Sequence, residues 1–265
     1  MSAEVLQRVA AFRSSFARRQ AAVVEDVPGG VVVLDPQYAA SYENNQLVVD
    51  GAPDPDGLPE LADRVLGHLA HRRITVLDDA VGGGCAAVLV AAGYAHETEL
   101  VMTYSGVVGR PDEPARTVRL GELHDAVVRQ LRVWMPRAEE RVVQELAGRR
   151  AARLRGADEV RFLAVRDADG VVGSWADLYL DAARGVAQIE DVVTADTHAR
   201  RGYADTLLAT ALQHAAGCGL VFLLADPDDW PRHWYARRGF VVVGRSHVFT
   251  RAPERISRAC PGPRA

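Results

Sequence analysis

Two arginines and a glycine stand directly in front of an apolar segment of helical period in the stretch THARRGYADTLLATAL, residues 197 to 212. The first backbone N–H groups of a helix have no partner within the helix, and the helix dipole places about half a positive charge at that end. Arg200 and Arg201 add two full charges, and Gly202 removes the side chain that would keep a ligand away from the backbone. This combination of residues predicts a binding site for a pyrophosphate group.

The segments on either side of this junction predict a strand, a loop, a helix and a second strand. The stretch GVAQIEDVV, 185 to 193, is rich in Val and Ile and is typical of a buried strand that opens onto a loop. Apolar residues at spacings of three and four predict a helix that ends near Gly217 and Gly219, and LVFLLA, 220 to 225, predicts a strand inside a sheet.

A second group of signals follows in DDWPRHWYARRGFVVVG, residues 228 to 244. Asp228 or Asp229 is the expected N-cap of a short helix, with Pro231 in its first turn and Gly239 as its stop. The run FVVVG predicts a final strand.

Composition excludes several classes of protein. The chain has 265 residues, a formal charge of -4, 48% hydrophobic residues and 25% charged residues, which is typical of a soluble globular protein whose overall field does not attract nucleic acid. The N-terminal segment lacks the apolar core of a signal peptide and predicts a short helix instead. We therefore expect a cytoplasmic protein with neither a membrane nor a nucleic-acid partner, and the sequence leaves its oligomeric state open.

The reactive side chains narrow the chemistry further. Cys85, Cys218 and Cys260 are widely spaced and no CxxC pair occurs, so we expect free thiols and no metal site. The chain contains no lysine, which excludes a P-loop of the usual type and the Schiff base of pyridoxal phosphate enzymes. The HExxH and GxSxG signatures of zinc proteases and serine hydrolases are also missing from the sequence.

The order of these predicted elements, with these residues, resembles the GCN5-related N-acetyltransferase (GNAT) family. Members of that family bind acetyl-CoA through a [QR]xxGx[GA] loop and carry a tyrosine four residues before a Gly-Phe pair. The corresponding stretches here are ARRGYA, 199 to 204, and YARRGF, 235 to 240. Ala199 stands where the family has Gln or Arg, so the resemblance implies a cofactor cradle that depends on Arg200, Arg201 and the backbone amides of Arg201, Gly202, Tyr203 and Ala204.

The resemblance also implies roles around the thioester. In the family the strand before the loop splays away from its neighbour and directs a backbone N–H at the thioester oxygen, and the matching residues are Val192 and Val193. Tyr235 matches the general acid that protonates the departing thiolate, although an aromatic side chain packed under the sheet is the alternative. Glu190, expected on the same strand face as Gln188 and Val192, is a candidate general base or a structural partner of an arginine.

Other polar residues near the predicted site are weaker candidates. Asp177, Asp191, Asp226 and Asp229 could favour a cationic amine through their negative potential, although acidic residues at strand ends are most often caps and turns. His198 lies next to the loop, and a lone histidine before a helix is expected to be a polar surface residue rather than a catalyst.

The rest of the resemblance covers residues from about 115 to 255. The stretch RTVRL, 116 to 120, would be the first strand, and residues 123 to 154 would form a long helical arm. Residues 160 to 181 predict a hairpin that turns at Asp167 to Gly170.

The first half of the chain carries a fainter pattern. Strands are predicted at GGVVVLDP, NNQLVVD and RRITVLDD, helices at residues 54 to 71 and from Cys85 to Gly93, and a loop at Gly82 to Gly84. The stretch AAGY followed by an apolar strand resembles a worn copy of the family's last helix and strand, without a glycine-led cofactor loop. We therefore expect an α/β fold with a mixed sheet, arranged as a tandem GNAT fold that resembles the tandem-domain type of actinobacterial acetyltransferases. A degenerate GNAT-like domain is expected at residues 1–112 and an acetyltransferase domain that binds acetyl-CoA at residues 113–265.

The function implied by this resemblance is that of an acetyl-CoA-dependent N-acetyltransferase. It would move an acetyl group to a primary amine of a small, cationic acceptor by direct attack in a ternary complex. A non-catalytic acyl-CoA sensor, or a pure interaction protein, is the alternative reading, since the phosphate loop alone does not require Tyr235 or Glu190.

Overall fold

The computed structural model describes residues 2–109, 111 and 113–252, and these residues form two compact units. The first unit consists of residues 2–101 together with 243–252, and the second consists of residues 102–242. These limits differ from the single division at 112/113 predicted from the sequence, because the last strand of the chain returns to the first unit.

The first unit begins with a long helix and continues with a strand-rich segment. Its elements are α1 (Ser2–Gln20), β1 (Val23–Val27), β2 (Gly30–Leu34), β3 (Gln46–Val49), α2 (Leu58–Leu66), β4 (Arg72–Val76), α3 (Asp79–Ala91) and β5 (Ala95–Tyr104), whose last three residues belong to the second unit. The other predicted strands and helices of this half of the chain are confirmed, but α1 is longer than the short helix predicted, β1 was not predicted, and the glycine triplet differs.

The sheet of the first unit is mixed. β1, β2 and β3 pair antiparallel, and β3 pairs parallel to β4, as expected when a helix connects two neighbouring strands. The other edge of β4 pairs antiparallel with residues 247–251 of the last strand. Leu47, Leu61, Ile74 and Leu89 are among the buried residues that α2 and α3 and the strands contribute to one hydrophobic core.

The loop predicted at Gly82 to Gly84 is wrong, because these residues lie inside α3. The Asp78 side chain caps the helix by accepting a hydrogen bond from the backbone N–H of Val81, so the helix starts before the glycines. A Cβ on Gly82 would lie 2.4 Å from the ring of His247, which shows that the first glycine of the triplet makes room for that ring.

The second unit contains the motifs singled out in the sequence. Its elements are β6 (Arg116–Val118), α4 (Leu120–Trp134), α5 (Glu140–Gly148), α6 (Arg150–Arg153), β7 (Glu159–Arg166), β8 (Val172–Asp181), β9 (Val186–Thr194), α7 (Tyr203–His214), β10 (Leu220–Ala225), α8 (Pro231–Ala236) and β11 (Phe240–Arg251), which continues into the first unit at residue 243.

The sheet of the second unit is also mixed. β6, β7, β8 and β9 pair antiparallel in that order, and β9 pairs parallel to β10. Alternate apolar residues of β7 and β8 meet the apolar faces of α4 and α5, and the resulting core includes Leu123, Val127, Phe162 and Trp175. Trp175 is 1% exposed, so this core is closed to solvent.

The structure confirms the hairpin and the strands predicted from residue 160 onwards, and it corrects two local predictions. The helical arm is three helices rather than one, with the first break at Met135 and Pro136, where proline cannot continue a helix. The N-cap of α8 is Trp230, whereas the Asp229 side chain accepts a hydrogen bond from the backbone N–H of Trp230. Pro231 occupies the first turn as predicted.

The two units repeat one order of elements. In the first unit β1, β2, β3, α2, β4, α3 and β5 follow one another, and in the second unit β7, β8, β9, α7, β10, α8 and β11 do so. In both units the first three strands pair antiparallel and the third and fourth pair parallel. The degenerate family pattern in the first half of the sequence therefore corresponds to the same order and pairing of elements as in the second unit.

Two further expectations concern the chain as a whole. Cys85 and Cys218 are free thiols, and Cys260 lies outside the described residues. Across residues 2–109, 111 and 113–252, no helix is both long enough and apolar enough to cross a bilayer.

Candidate active site

The parallel strands β9 and β10 separate after the first three residues of each. Their pairing begins at Val186 and Leu220 and ends at Gln188 and Phe222, although both strands continue beyond those residues. Val192 and Val193 lie past the last paired position, on the part of β9 that faces the gap between the strands. Because their backbone groups on that edge are not used by β10, this gap can accept an extended ligand.

A bulge in β9 accompanies the separation. Trp175 of β8 pairs with Val193, and Asp177 pairs with Glu190, so Asp191 and the residue after it stand opposite Ala176 alone. Asp191 has a φ of 50°, in the left-handed region that residues with a side chain seldom adopt. Such strain persists only where surrounding contacts enforce it, and it is found most often at functional sites.

Two arginines from α6 hold this bulge. Arg150 Nη2 lies 2.7 Å and Arg153 Nη1 2.6 Å from Asp191 Oδ2, and both guanidinium groups also bind Asp177, at 3.1 Å and 2.6 Å from its Oδ2. The side chain of Asp177 is fully buried. Burial alone would raise the pKa of Asp191, but the charges of Arg153 and Arg150 outweigh it and hold that pKa well below its usual value.

This pairing corrects one sequence interpretation. Asp177 and Asp191 were weaker candidates for adding negative potential toward a cationic acceptor, with caps and turns as the alternative, and the structure pairs each of them with the same two arginines. Asp226 and Asp229 accept hydrogen bonds from the backbone N–H groups of Asp228 and Trp230 and serve as turn residues. Asp177 and Asp191 are therefore paired with arginines, whereas Asp226 and Asp229 have the role of turn residues that the sequence offered as the alternative.

The predicted pyrophosphate loop leads into α7. Gly202 is the N-cap of this helix with a φ of 79°, and Arg200 has a φ of 61°. Arg200, Arg201 and Gly202 are exposed, and a Cβ on Gly202 would meet no atom within 4 Å. Since the N-cap has no side chain to accept their hydrogen bonds, the N–H groups of Tyr203 and Ala204 at the helix start are available to an anion.

His198 is buried, and its ring is held on both sides. Nε2 lies 2.9 Å from Asp167 Oδ2, at the turn between β7 and β8, and Nδ1 lies 2.9 Å from the hydroxyl of Thr197. The residue is only 8% exposed, so the expectation of a surface residue is wrong. The hydrogen bond from His198 lowers the pKa of Asp167, and backbone N–H groups lower it further.

Tyr235 lies in α8 and is buried among aromatic rings. Its ring makes edge contacts with Trp234 and Phe240, at centroid distances of 5.0 Å and 5.8 Å. Burial raises the pKa of the Tyr235 phenol, and the carboxylates of Glu190 and Asp191 raise it further. The phenol is therefore protonated at neutral pH and can act as a proton donor.

Glu190 lies on β9 immediately before the bulge and accepts a hydrogen bond from the Gln188 side chain. The sequence placed Glu190 on one strand face with Gln188 and Val192, but the bulge shifts the alternation by one residue. Val193, the partner of Trp175, therefore continues the face of Glu190 and packs in the core beneath α4 and α5, in place of Val192.

One contact between α7 and α8 was not predicted. Arg238 binds the carboxylate of Asp205 in the first turn of α7, and its guanidinium lies 4.0 Å above the ring of Trp234. The pair links the start of α7 to the helix that carries Tyr235. Neither residue was identified from the sequence, because nothing local relates positions so far apart in the chain. Arg150 and Arg153 are three residues apart, which places both on one face of a helix. That spacing could have been used to predict that the two arginines act together, as they do at the bulge.

Comparison with known proteins gives one family match. Residues 123–240 match the model of the Acetyltransferase (GNAT) family. No curated protein sequence matches the chain.

Several solved structures share the fold. A GCN5-related N-acetyltransferase from Kribbella flavida is 18% identical, with 95% of this chain and 97% of that chain covered and a TM-score of 0.66. A conserved protein of unknown function from Staphylococcus epidermidis is 12% identical over 86% of this chain and 92% of that chain, with a TM-score of 0.62. A GCN5-related N-acetyltransferase from Sphaerobacter thermophilus is 19% identical over 86% of this chain and 82% of that chain, with a TM-score of 0.52.

At these identities the neighbours establish the fold, and the family match locates the domain within it. The splayed strands and the glycine-led helix both lie inside the matched segment. Residues 123–240 are thus similar to a GNAT-family acetyltransferase domain, and the fold is the one shared with the GNAT proteins among the solved structures.

Proposed function

We propose that the second unit binds acetyl-CoA and transfers its acetyl group to a primary amine of a small acceptor in a ternary complex. The separation of β9 from β10 beyond Gln188 and Phe222 is the observation that carries this proposal. The chain runs from the end of β9 through residues 195–202 to the helix start at Gly202, so one elongated ligand could place a thioester at the strands and a pyrophosphate at the helix.

The residues around the gap fit such a ligand. Gly202 leaves open space at its Cα, and Arg200 and Arg201 are exposed beside it. The N–H groups from Arg201 to Ala204 would bind the pyrophosphate together with these two guanidinium groups. Acetyl-CoA supplies an activated acetyl group when it is bound.

Groups of the chain itself would stabilise the oxyanion and transfer the protons that the reaction requires. A backbone N–H at Val192 or Val193 stabilises the negative charge that develops on the carbonyl oxygen. The protonated phenol of Tyr235 donates a proton to the departing sulfur, and Glu190 accepts a proton from the amine directly or through water. Proximity within the gap adds a further contribution that needs no proton transfer.

The first unit is proposed to be a degenerate GNAT-like domain that binds no cofactor. Its β3 and β4 stay paired through Val49 and Val76, and the β2–β3 ladder contains no bulge. The connection from β3 to α2 reads DGAPDPDG, residues 50 to 57, which offers carboxylates to a pyrophosphate where the second unit offers arginines. This repeat of one chain path supports a tandem arrangement like that of actinobacterial acetyltransferases.

The acceptor is proposed to be a small primary amine. The aspartates that suggested a cationic acceptor are paired with arginines or lie in turns. Glu190 on β9 is therefore the carboxylate on which a preference for an amine depends. An acyl-CoA sensor is the second candidate, because the loop alone would suffice for binding. The presence of both Tyr235 and Glu190, neither of which binding through the loop alone would require, favours the enzyme.

Gly202→Val tests the binding part of the proposal. The variant places a branched side chain at a φ of 79° and beside the phosphate, so we expect a loss of acetyl-CoA affinity in calorimetry of at least about tenfold. Gly219→Ala is the matched control, since its Cβ also meets no atom within 4 Å and its φ is not positive. Wild-type affinity in a folded Gly202→Val protein would refute the loop assignment.

A thiol-release assay across a panel of primary amines tests the catalytic part. Turnover with at least one amine is expected for an enzyme. Binding of acetyl-CoA without turnover on any amine would support the sensor, and absence of binding would support an interaction protein.

A further inference from the structure

The segment between β9 and α7, residues 195–202, has an unusual backbone shape. Arg200 has a φ of 61° and Gly202 a φ of 79°, and only the second of these is a glycine. A non-glycine residue in the left-handed region costs on the order of a kcal/mol or more in local conformational energy. Contacts from neighbouring elements must therefore hold this loop.

We propose that His198 is a positioning residue that holds the loop 195–202 in the shape that binds the pyrophosphate of the cofactor. The inference rests on the proposed function, because it assigns a role within the same binding site. His198 does not itself contact the ligand in this proposal; it acts through the backbone of the residues that follow it.

The ring of His198 joins the loop to a rigid turn. Its Nε2 donates to Asp167 Oδ2 at 2.9 Å, and the other carboxylate oxygen of Asp167 accepts the backbone N–H groups of Asp169 and Val171 at 3.1 Å and 2.8 Å. Asp167 is thus fixed by its own turn before it meets the histidine. The hydroxyl of Thr197 bonds to Nδ1 at 2.9 Å, so both ring nitrogens have partners.

The opposite strand is shaped to receive the ring. A Cβ on Gly173 would lie 2.5 Å from Cδ2 and 2.6 Å from Cγ of His198, which is closer than real contacts allow. The carbonyl of Gly173 also accepts the backbone N–H of Ala195 at 2.9 Å. The same glycine therefore anchors the beginning of the loop and makes room for the histidine.

Further contacts connect His198 with the residues that lead to the start of α7. The backbone N–H of His198 donates to the carbonyl of Ala195 at 2.7 Å, and Arg201 Nη2 donates to the carbonyl of Thr197 at 3.2 Å. The ring of Tyr203, the first residue of α7, lies 6.1 Å from that of His198. The histidine therefore sits between the two ends of the loop and contacts both.

The test compares two ligands that differ by the 3′-phospho-ADP part of acetyl-CoA, which contains the pyrophosphate. His198→Leu retains most of the side-chain volume and removes both hydrogen bonds, so we expect the Kd for acetyl-CoA to rise about tenfold. The Kd for S-acetylpantetheine, which lacks the pyrophosphate, should stay within about twofold. His198→Gln, which keeps an N–H donor, should recover part of the loss, and Gly173→Ala should reproduce it by displacing the ring.

Hydrogen exchange without any ligand gives an independent readout. The amides of residues 199–204 should exchange faster in His198→Leu than in the wild type, while those of β7 and β8 should not change. His68→Leu, at an exposed histidine of the first unit, is the control.

Equal losses for both ligands, or unchanged exchange and affinity in His198→Leu, would overturn the positioning role while leaving the proposed function intact. A wild-type protein that binds neither ligand would overturn both.

Discussion

The phenol of Tyr235 is surrounded by aromatic rings and lies near two carboxylates. Because burial raises its pKa, the phenol stays protonated between about pH 6 and 9. We expect Tyr235→Phe to lower turnover by about 10²- to 10⁴-fold at every pH in that range, with little change in acetyl-CoA affinity.

A second tyrosine in the same aromatic group provides the control for that measurement. The Tyr104 ring lies 5.2 Å from Phe240, and its hydroxyl donates to the carbonyl of Val107. Tyr104→Phe should leave turnover nearly unchanged. If Tyr235→Phe retained wild-type turnover where chemistry limits the rate, only proximity and the oxyanion contact would remain to explain catalysis.

Glu190 is tested separately. If it accepts the proton of the amine, Glu190→Gln should lower turnover by an amount that varies with pH, as expected when a titrating base is removed. Gln188, which donates to Glu190, can bind the carbonyl of the new amide, so the local packing should persist. A loss that is equal at every pH, measured in a pH–rate profile, would assign Glu190 a structural role.

At the scale of elements, the network between α6 and the bulge of β9 is expected to dominate local stability. Removal of one partner leaves buried charge uncompensated, so Arg153→Met should lower the free energy of unfolding by about 3 kcal/mol or more. Arg132 pairs with Glu140 at the surface, and Arg132→Met should cost less than about 1 kcal/mol. Urea unfolding of both variants checks the difference, and equal costs would contradict it.

The elements that position the site were largely predictable from the sequence. LVFLLA gave the bounds of β10, and the glycine at 202 marked the start of α7, because local hydrophobic pattern and backbone freedom determine both. The bulge at Asp191 was not predictable, since a non-glycine residue with positive φ depends on arginines about forty positions earlier in the chain. The glycine triplet in α3 was misjudged because a helix cap upstream and the ring of His247 outweigh the low helix propensity of glycine.

For the whole molecule we expect one cofactor per chain. The second unit has the separated strands and the arginine-bearing loop, whereas in the first unit β3 and β4 stay paired. Calorimetric titration with acetyl-CoA should saturate at one equivalent. Saturation at two equivalents would show that the first unit retains a binding site.

Stability should also depend on pH through His71 in the first unit. Its Nε2–H donates to the carbonyl of Asn45 at 3.0 Å, and burial lowers its pKa from 6.5 to about 4. Above about pH 6.5 the histidine is neutral in both states, so its contribution is fully present. Between about pH 6.5 and 4 only the unfolded chain takes up the proton, so stability falls by up to about 3 kcal/mol as the pH falls.

Replacement of His71 isolates this effect from that of other titrating groups. His71→Gln keeps a side-chain donor and should flatten the dependence of unfolding free energy on pH in that window. His68→Gln, at an exposed position in the same segment, should leave the dependence as it is in the wild type. Identical slopes in the His71→Gln and wild-type proteins would contradict the assignment.

The return of the last strand to the first unit affects how the protein is made on the ribosome. The edge of β4 pairs with residues 247–251, so five backbone positions in this strand can pair only after a segment that is synthesised much later. At about 5–20 residues per second, synthesis of the roughly 170 residues between β4 and this segment takes about 9 to 34 seconds. The second unit, although it is encoded later, can therefore complete its own sheet first, and during that interval the nascent first unit exposes an unpaired strand edge that is open to misassociation with other chains.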